Sequence, residues 1–435
     1  MRLRWIGVVF LAAVGLRADV KVVCDRTNAV YAVGERIVFS AVAEGAEARG
    51  GALRMRVCWF GGEVLAETNG VGRLSLSVVG DKPGFLHCMV APVETNRMAS
   101  AQCGVAVSPE RIVSRTPEPA DFDLFWEQSL KRYYREVPLD VVIRPYAPWT
   151  NASREAFEVS FGVPGGQRVY GWLVKPKGLK GKAPVFVQVP GAGFGRWSFE
   201  PRLDLADRGG IVLFMSVLRL PLSGGYDAYL RTGEVWSKQL KWCEPLSNGR
   251  YYNAGADSRE EYFYHRSVLG IVRAVDWLYA QPEVDQTRFY YEGTSQGGGF
   301  GLILCALFPH FTRASIFVPA MTGLYERQSG MQAGWPQPIE NARRYAPGRT
   351  RAVRKAMAYY DGVNFAKRIR CPVDMAVGFV DQTCAPNAVY GAYNALRTTD
   401  KRIIHGLGMG HSVYPWIYQL LSTESYDRNR PHGAQ

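Results

Sequence analysis

Residues 289–299 read Phe289-Tyr290-Tyr291-Glu292-Gly293-Thr294-Ser295-Gln296-Gly297-Gly298-Gly299, and the fold prediction starts from this stretch. An aromatic and apolar run, typical of a buried strand, leads into Gly293-x-Ser295-x-Gly297, and an apolar helical stretch follows from Phe300 to Phe308. The glycines on both sides of Ser295 permit a turn too sharp for larger side chains. Strand, sharp turn and helix in this order predict a nucleophile elbow, in which the serine hydroxyl stands exposed above a sheet.

A nucleophilic serine needs an acid and a base, and in an α/β-hydrolase both follow it in the chain, with the histidine last. Residues 375–380 are an apolar strand candidate that ends at Asp381. The glycine-rich turn of residues 408–412 carries His411, one of only six histidines. Taken alone, Asp381 is typical of a turn residue and His411 of a helix cap. All three residues in this order and context predict a triad of Ser295, His411 and Asp381.

These motifs together resemble the acetyl xylan esterase/cephalosporin C deacetylase family, a carbohydrate esterase family 7-like group. Residues 293–298 match its G-x-S-Q-G-G, residues 381–386 are similar to its D-x-x-C-P-P, and Gly410-His411 resembles the start of its G-H-E. Residues 121–126 are similar to its D-F-D-x-F-W signature, and residues 272–277 look like the helix ahead of its elbow. The resemblance covers roughly residues 112–420. It implies an α/β-hydrolase fold, a Ser–His–Asp esterase mechanism with no metal or cofactor, and acetylated sugars as substrates.

The tetrahedral oxyanion of ester hydrolysis needs two preorganised hydrogen-bond donors. The residue after the nucleophile supplies one, which predicts the backbone N–H of Gln296. The resemblance aligns the family's H-G-Y turn with Pro190-Gly191-Ala192 and implies the Ala192 N–H as the second, although the glycines there would also suit a plain turn. The chain departs from the family at Pro190 and Ala192, at Leu218-Arg219-Leu220 in place of R-G-Q, and at Ser412 in place of glutamate.

The first 18 residues are typical of a signal peptide. Arg2 and Arg4 form a basic start, Ile6 to Leu16 an apolar core too short to span a bilayer comfortably, and Leu16-Arg17-Ala18 a cleavage site. A buried strand is the alternative. We therefore expect export to the periplasm or the extracellular space, and no membrane span. The net charge of +13 is scattered along the chain, which argues against nucleic-acid binding and fits a solvated basic surface or attraction to acidic polysaccharide.

The chain of 435 residues is long enough for two domains. Residues 19–110 are predicted to form an all-β, immunoglobulin-like sandwich that spaces or docks the enzyme or binds carbohydrate. Its strands are expected at residues 37–42, 53–60, 74–79, 85–90 and 104–107. Residues 111–435 are predicted to form the α/β-hydrolase unit, with an amphipathic helix from Asp121 to about Tyr134. Its strands are expected near Val141 and at residues 156–161, 169–174, 185–189 and 211–214.

Two stretches, residues 219–262 and 321–360, interrupt the alternation of strands and helices and are typical of insertions that form the rim of a hydrolase pocket. Aromatic residues of the first would either stack on a sugar ring or pack the insertion onto the core. They are Tyr226, Tyr229, Trp236, Trp242, Tyr251 and Tyr252. Eight cysteines are too few for a disulfide scaffold, although Cys24, Cys58, Cys88 and Cys103 permit one or two bridges in an oxidising compartment. Cys384 is expected to pack beneath the Asp381 loop, and no spacing indicates a zinc site.

The sequence thus predicts an exported carbohydrate O-deacetylase that releases acetate from acetylated xylo-oligosaccharides or similar sugars, with its oligomeric state left open. One alternative is an esterase for bulkier, feruloyl-type acyl groups, since Ala192 in place of tyrosine would enlarge the pocket. The other is a cell-surface glycan-binding protein with a vestigial hydrolase domain, against which the complete triad argues. A peptidase of prolyl oligopeptidase type would need a much longer N-terminal region.

Overall fold

A computed structural model of the protein describes residues 19–44, 51–93, 101–193, 200–224, 241 and 244–428. The expected signal peptide and four of the aromatic residues of the first insertion (Tyr226, Tyr229, Trp236 and Trp242) lie outside the described residues. In the described ranges, no helix is long and apolar enough to cross a membrane.

Residues 19–107 form two β-sheets. Their strands are β1 (Asp19–Cys24), β2 (Val30–Tyr31), β3 (Arg36–Glu44), β4 (Ala52–Trp59), β5 (Val64–Val71), β6 (Arg73–Val79), β7 (Gly84–Pro92) and β8 (Ala101–Val107). One sheet has the order β1-β3-β6, and the other has the order β2-β8-β7-β4-β5. Alternate residues are buried in a shared hydrophobic cluster, for example Ile37 and Phe39 on β3 and Met55 and Val57 on β4. An all-β region was expected here; the immunoglobulin-like character and the domain boundary at residue 110 stay predictions.

In the described residues that follow, one sheet contains nine strands. They are β9 (Val141–Pro145), β10 (Arg154–Val163), β11 (Gln167–Pro176), β12 (Ala183–Val189), β13 (Ile211–Met215), β14 (Val284–Thr294), β15 (Arg313–Phe317), β16 (Val373–Gly378) and β17 (Lys401–Gly406). The order is β17-β16-β15-β14-β12-β13-β11-β10-β9. The six strands from β17 to β13 pair in parallel, and β11, β10 and β9 extend the sheet antiparallel. Every residue of β12, β13 and β15 is buried, as expected for parallel strands covered on both faces.

Helices flank this sheet, which confirms the predicted α/β-hydrolase class. They are α1 (Phe122–Glu136), α2 (Leu203–Asp207), α3 (Phe263–Tyr279), α4 (Gln296–Leu307), α5 (Pro338–Tyr345), α6 (Thr350–Met357), α7 (Gly362–Ala366), α8 (Pro386–Ala395), α9 (Pro415–Leu421) and α10 (Thr423–Arg428). Helix α1 agrees with the predicted amphipathic helix and buries Phe122, Phe125 and Trp126.

A buried charge cluster ties together the three strands at one edge of the sheet. Asp374 on β16 has no exposed surface and accepts hydrogen bonds from Arg313 Nε (2.6 Å) and Nη2 (2.9 Å) on β15. Arg402 on β17 also donates to this carboxylate. Because a buried charge without its partner is costly, the cluster fixes the mutual position of the strands that precede Asp381 and His411.

We expect Asp374→Ala to lower the free energy of unfolding by about 3–5 kcal/mol, because it leaves the buried Arg313 guanidinium without its partner. Urea denaturation would measure the change. The control is Asp400→Ala, whose carboxylate is 66% exposed and 3.9 Å from the same guanidinium. That control should cost less than about 1 kcal/mol. Equal losses in the two variants would contradict the role given to burial.

Candidate active site

The predicted strand, turn and helix around Ser295 are all present. Strand β14 ends at Thr294, Ser295 has φ 58 and ψ −117, and α4 begins at Gln296. L-residues rarely adopt a positive φ, so the surroundings must hold this conformation. The Ser295 N–H donates to the Phe317 carbonyl (2.9 Å), and the Ala320 N–H donates to the Ser295 carbonyl (2.8 Å). A Cβ atom at Gly297 would lie 2.0 Å from the Val189 carbonyl oxygen, so the turn requires glycine there.

Three side chains meet above this turn. Ser295 Oγ lies 2.8 Å from His411 Nε2, and His411 Nδ1 lies 2.9 Å from Asp381 Oδ2. Asp381 has no exposed surface, whereas His411 is open to solvent on one side. The structure therefore brings together the three residues that the sequence order selected, at hydrogen-bonding distances suited to proton transfer.

The Asp381 carboxylate is oriented by its own loop. Its Oδ1 atom accepts the backbone N–H groups of Thr383 (2.8 Å) and Cys384 (2.9 Å), which leaves Oδ2 for His411. The Asp381 side chain thus makes the hydrogen bonds of a turn residue and also contacts His411, and its catalytic role stays a prediction. Strand β16 ends three residues before Asp381, slightly earlier than the sequence pattern indicated.

The predicted oxyanion donors are Gln296, which follows Ser295 in the chain, and Ala192, which lines the same cavity as Ser295. Gln296 is the first residue of α4, where backbone N–H groups have no partner within the helix. Ala192 lines the cavity above Ser295. The geometry is compatible with both donors, whose roles stay predictions.

The side chain of Gln296 has a separate role that the sequence did not indicate. Its Oε1 atom accepts hydrogen bonds from the hydroxyls of Tyr251 (2.8 Å) and Tyr264 (2.6 Å), and its Nε2 donates to the Pro190 carbonyl (3.4 Å). This buried amide therefore connects the elbow, the turn that carries Ala192 and the first insertion. Tyr251 and Tyr252 pack the insertion onto the core, the latter against Trp335 with ring centroids 4.6 Å apart.

A cavity of about 480 Å³ opens at Ser295. Its walls come from the ends of β12, β13 and β14, the 190–192 turn and the last helices. They comprise Gln188, Val189, Pro190, Gly191, Ala192, Glu200, Phe214, Glu292, Gly293, Thr294, Ser295, His411 and Tyr418.

Comparison with known proteins agrees with this geometry. The family model for acetyl xylan esterase (AXE1) matches residues 110–413, well over half of the chain. The chain belongs to the acetyl xylan esterase family. It is accordingly a serine carboxylic-ester hydrolase, as its sequence motifs predicted.

Individual relatives point the same way. The acetyl esterase Axe7A of Xylanibacter ruminicola is 28% identical over 323 residues, which span 74% of this chain and 70% of that protein. The acetyl xylan esterase from Paenibacillus sp. R4 is 25% identical, with a TM-score of 0.60 over 73% of this chain and 98% of its own. Acetyl Xylan Esterase 1 from Thermoanaerobacterium sp. JW/SL YS485 shares the fold at 23% identity, with the same TM-score and coverage.

One acidic residue of the esterase cavity was not singled out from the sequence. Glu292 lies three residues before Ser295 and is almost fully buried. Its carboxylate accepts hydrogen bonds from the Tyr418 hydroxyl and from the backbone N–H (3.2 Å) and hydroxyl (3.3 Å) of Thr423. Burial beside this carboxylate raises the pKa of Tyr418. The signal available in the sequence was a single acidic residue within an aromatic strand. The hydrogen bonds of Glu292 attach helices α9 and α10 to strand β14.

Cys384 packs beneath the Asp381 loop, as its motif position suggested. It is almost completely buried, and burial raises the pKa of its thiol well above the ordinary value, with the nearby Asp381 charge acting in the same direction. Asp381, Cys384 and His411 each place one potential metal-ligating atom within 4.8 Å of the others. Both ring nitrogens of His411 lie within hydrogen-bonding distance of other side chains, Nε2 of Ser295 and Nδ1 of Asp381.

We expect Gly297→Ala to reduce hydrolysis of p-nitrophenyl acetate by about 100-fold, because the added methyl group displaces the elbow from the Val189 carbonyl and misplaces Ser295. Gly348→Ala is the matched control, since a Cβ there meets no atom within 4 Å. Steady-state kinetics of both variants, with circular dichroism to establish folding, make the measurement. Full activity in Gly297→Ala would show that the turn tolerates a side chain.

Proposed function

We propose that this acetyl xylan esterase family member is an exported carbohydrate O-deacetylase that works through an acyl-enzyme on Ser295. The observation behind the mechanism is the continuous hydrogen-bonded chain from Ser295 through His411 to Asp381. The preference for acetyl groups rests on the family, within which similar proteins act as acetyl and acetyl xylan esterases. Export rests on the signal-peptide pattern of residues 1–18.

In the first half-reaction, Ser295 Oγ attacks the ester carbonyl while its proton passes to His411 Nε2. The buried Asp381 carboxylate holds the Nδ1–H tautomer and stabilises the imidazolium that forms. The tetrahedral intermediate then collapses: the sugar hydroxyl leaves with the proton from His411, and the acetyl group stays on Ser295 as an ester.

In the second half-reaction, His411 removes a proton from water, which attacks the acetyl-serine and releases acetate. Both intermediates carry an oxyanion, for which we assign the backbone N–H groups of Gln296 and Ala192. Removing one oxyanion donor typically costs about 100- to 1,000-fold in kcat. The Gln296 side chain supports both donors, because it joins the elbow to the Pro190 carbonyl on the other side of the site.

The size of the cavity affects which acyl groups the site can accept. Ala192 contributes only a methyl group to a space of about 480 Å³, so the wall that a tyrosine would fill in the family's H-G-Y turn is open. That observation favours the feruloyl-type esterase as the second candidate. The acetyl reading predicts instead that the sugar, rather than a long acyl chain, occupies the open part.

We expect kcat/KM on p-nitrophenyl esters to be highest for acetate and to fall steeply through butyrate to octanoate. Ser295→Ala should lower kcat by about 100,000-fold or more, because the nucleophile is lost. Ser77→Ala, an exposed serine on β6, is the matched control and should behave as wild type. Peak activity on octanoate would keep the triad and exclude the deacetylase function. Equal activity in wild type and Ser295→Ala would exclude Ser295 as the nucleophile and favour the glycan-binding alternative.

A second assay compares hydrolysis of acetyl and feruloyl esters. We expect the enzyme to release acetate from acetylated xylo-oligosaccharides, measured by chromatography, and to leave methyl ferulate unchanged. Ala192→Tyr should preserve hydrolysis of p-nitrophenyl acetate but lower acetate release from the oligosaccharides, because the new ring fills the space assigned to the sugar. Hydrolysis of methyl ferulate that Ala192→Tyr abolishes would establish the bulky-acyl esterase instead.

A further inference from the structure

The N-terminal β-region contacts the loop that carries Asp381. We call residues 379–384 the acid loop. The five-stranded sheet turns one face to its partner sheet and the other toward this loop. On that second face, Phe60 and His87 stack with ring centroids 4.8 Å apart and are both buried. The family model begins at residue 110, so this face lies outside the part of the chain that defines the esterase family.

The first contact is just before Asp381. A Cβ atom at Gly104 would lie 2.1 Å from the Phe379 carbonyl oxygen, so β8 and the acid loop approach backbone to backbone. The Phe85 ring meets the Phe379 ring edge to face, with centroids 5.0 Å apart. Both rings are completely buried. Phe379, two residues before Asp381, is therefore fixed by the N-terminal sheet.

The second contact is just after Asp381. Gln382 Nε2 donates to Gln102 Oε1 (3.0 Å), and the same oxygen lies 2.8 Å from His87 Nε2. Burial lowers the pKa of His87. Because the Gln102 oxygen can only accept, the hydrogen bond requires a proton on His87 Nε2. The Gln382 carbonyl accepts a hydrogen bond from the side-chain amide of Gln332. The backbone N–H of Gln332 in turn donates to the Phe60 carbonyl (2.8 Å). Gln382 is thus attached to the N-terminal sheet through its side chain and, by way of Gln332, through its backbone.

These two contacts, at Phe379 and Gln382, lie on either side of Asp381 in the sequence. Asp381 reaches His411 through one hydrogen bond of 2.9 Å, and its carboxylate moves with the backbone of the acid loop because the N–H groups of Thr383 and Cys384 hold it. A displacement of about 1 Å in a catalytic constellation can lower the rate by about 100-fold.

We propose that Gln102 and Gly104 are positioning residues for ester hydrolysis: the N-terminal β-region holds the acid loop so that Asp381 stays in place behind His411. This rests on the triad proposed above. It assigns to the β-region a part in turnover, in addition to the spacing or glycan binding that its composition allows.

The test compares full-length variants on p-nitrophenyl acetate. Gln102→Ala removes the acceptor of Gln382, and Gly104→Val forces β8 away from the Phe379 carbonyl. We expect kcat to fall by about 10- to 100-fold in each, with KM little changed, because neither residue lines the substrate cavity. The thermal midpoint should be little changed in Gln102→Ala and lower in Gly104→Val, where the added side chain meets buried backbone. Gln102→Glu retains an acceptor oxygen and should restore kcat. Gly51→Val is the matched control, since a Cβ there meets no atom within 4 Å.

A double-mutant cycle adds a second readout. If Gln102 acts through Gln382, the pair Gln102→Ala and Gln382→Ala should lower kcat no further than either single change. The proposal is overturned if Gln102→Ala leaves kcat unchanged or lowers it only in parallel with the thermal midpoint. An equal loss of kcat in Gly51→Val would overturn it as well. If Gly104→Val does not fold, the loss of kcat in Gln102→Ala and its recovery in Gln102→Glu test the proposal. Asp381→Ala distinguishes failure of the triad from failure of the positioning role. If Asp381→Ala keeps full kcat, the triad itself is wrong. If Asp381→Ala loses most of its kcat while Gln102→Ala and Gly104→Val do not, only the positioning role is rejected.

Discussion

The backbone at Ser295 is the constraint on which the site depends. A non-glycine residue at φ 58 costs about 1–3 kcal/mol and persists only where the surroundings over-determine it. Here those surroundings are β12 against Gly297, β15 through the Phe317 carbonyl, and the 319–321 segment through the Ala320 N–H. The parallel core of the sheet therefore holds the serine in place, and two further strands of that core, β16 and β17, precede Asp381 and His411.

Much of this arrangement could be predicted because it depends on local chemistry. The elbow needs glycine at fixed positions, and parallel strands need continuous apolar runs, so both are visible in the sequence. Ser295, Asp381 and His411 follow the chain order of their fold, and the structure brings them within hydrogen-bonding distance. Strands β1, β2, β5, β15 and β17 were not predicted; in β5 and β17, polar and charged residues interrupt the alternation.

What could not be predicted are contacts between residues distant in sequence. Nothing near Gln296 indicates that Tyr251 and Tyr264 will meet its amide, and nothing near Gln102 indicates Gln382. Both glutamines look like ordinary polar residues in isolation. Their partners come from segments that only the tertiary fold brings together, so their importance depends on burial and geometry that a single sequence does not contain.

The pairing of Gln102 with Gln382 spans 280 residues, and that of Ser295 with His411 spans 116. Loop closure over such separations is slow compared with the formation of local structure. Ser295, His411 and the contacts of the acid loop therefore come together only when segments far apart in the sequence have folded onto each other. A nascent chain that contains the elbow but stops before residue 379 lacks both the acid loop and His411, so these residues cannot meet until residue 411 has been synthesised.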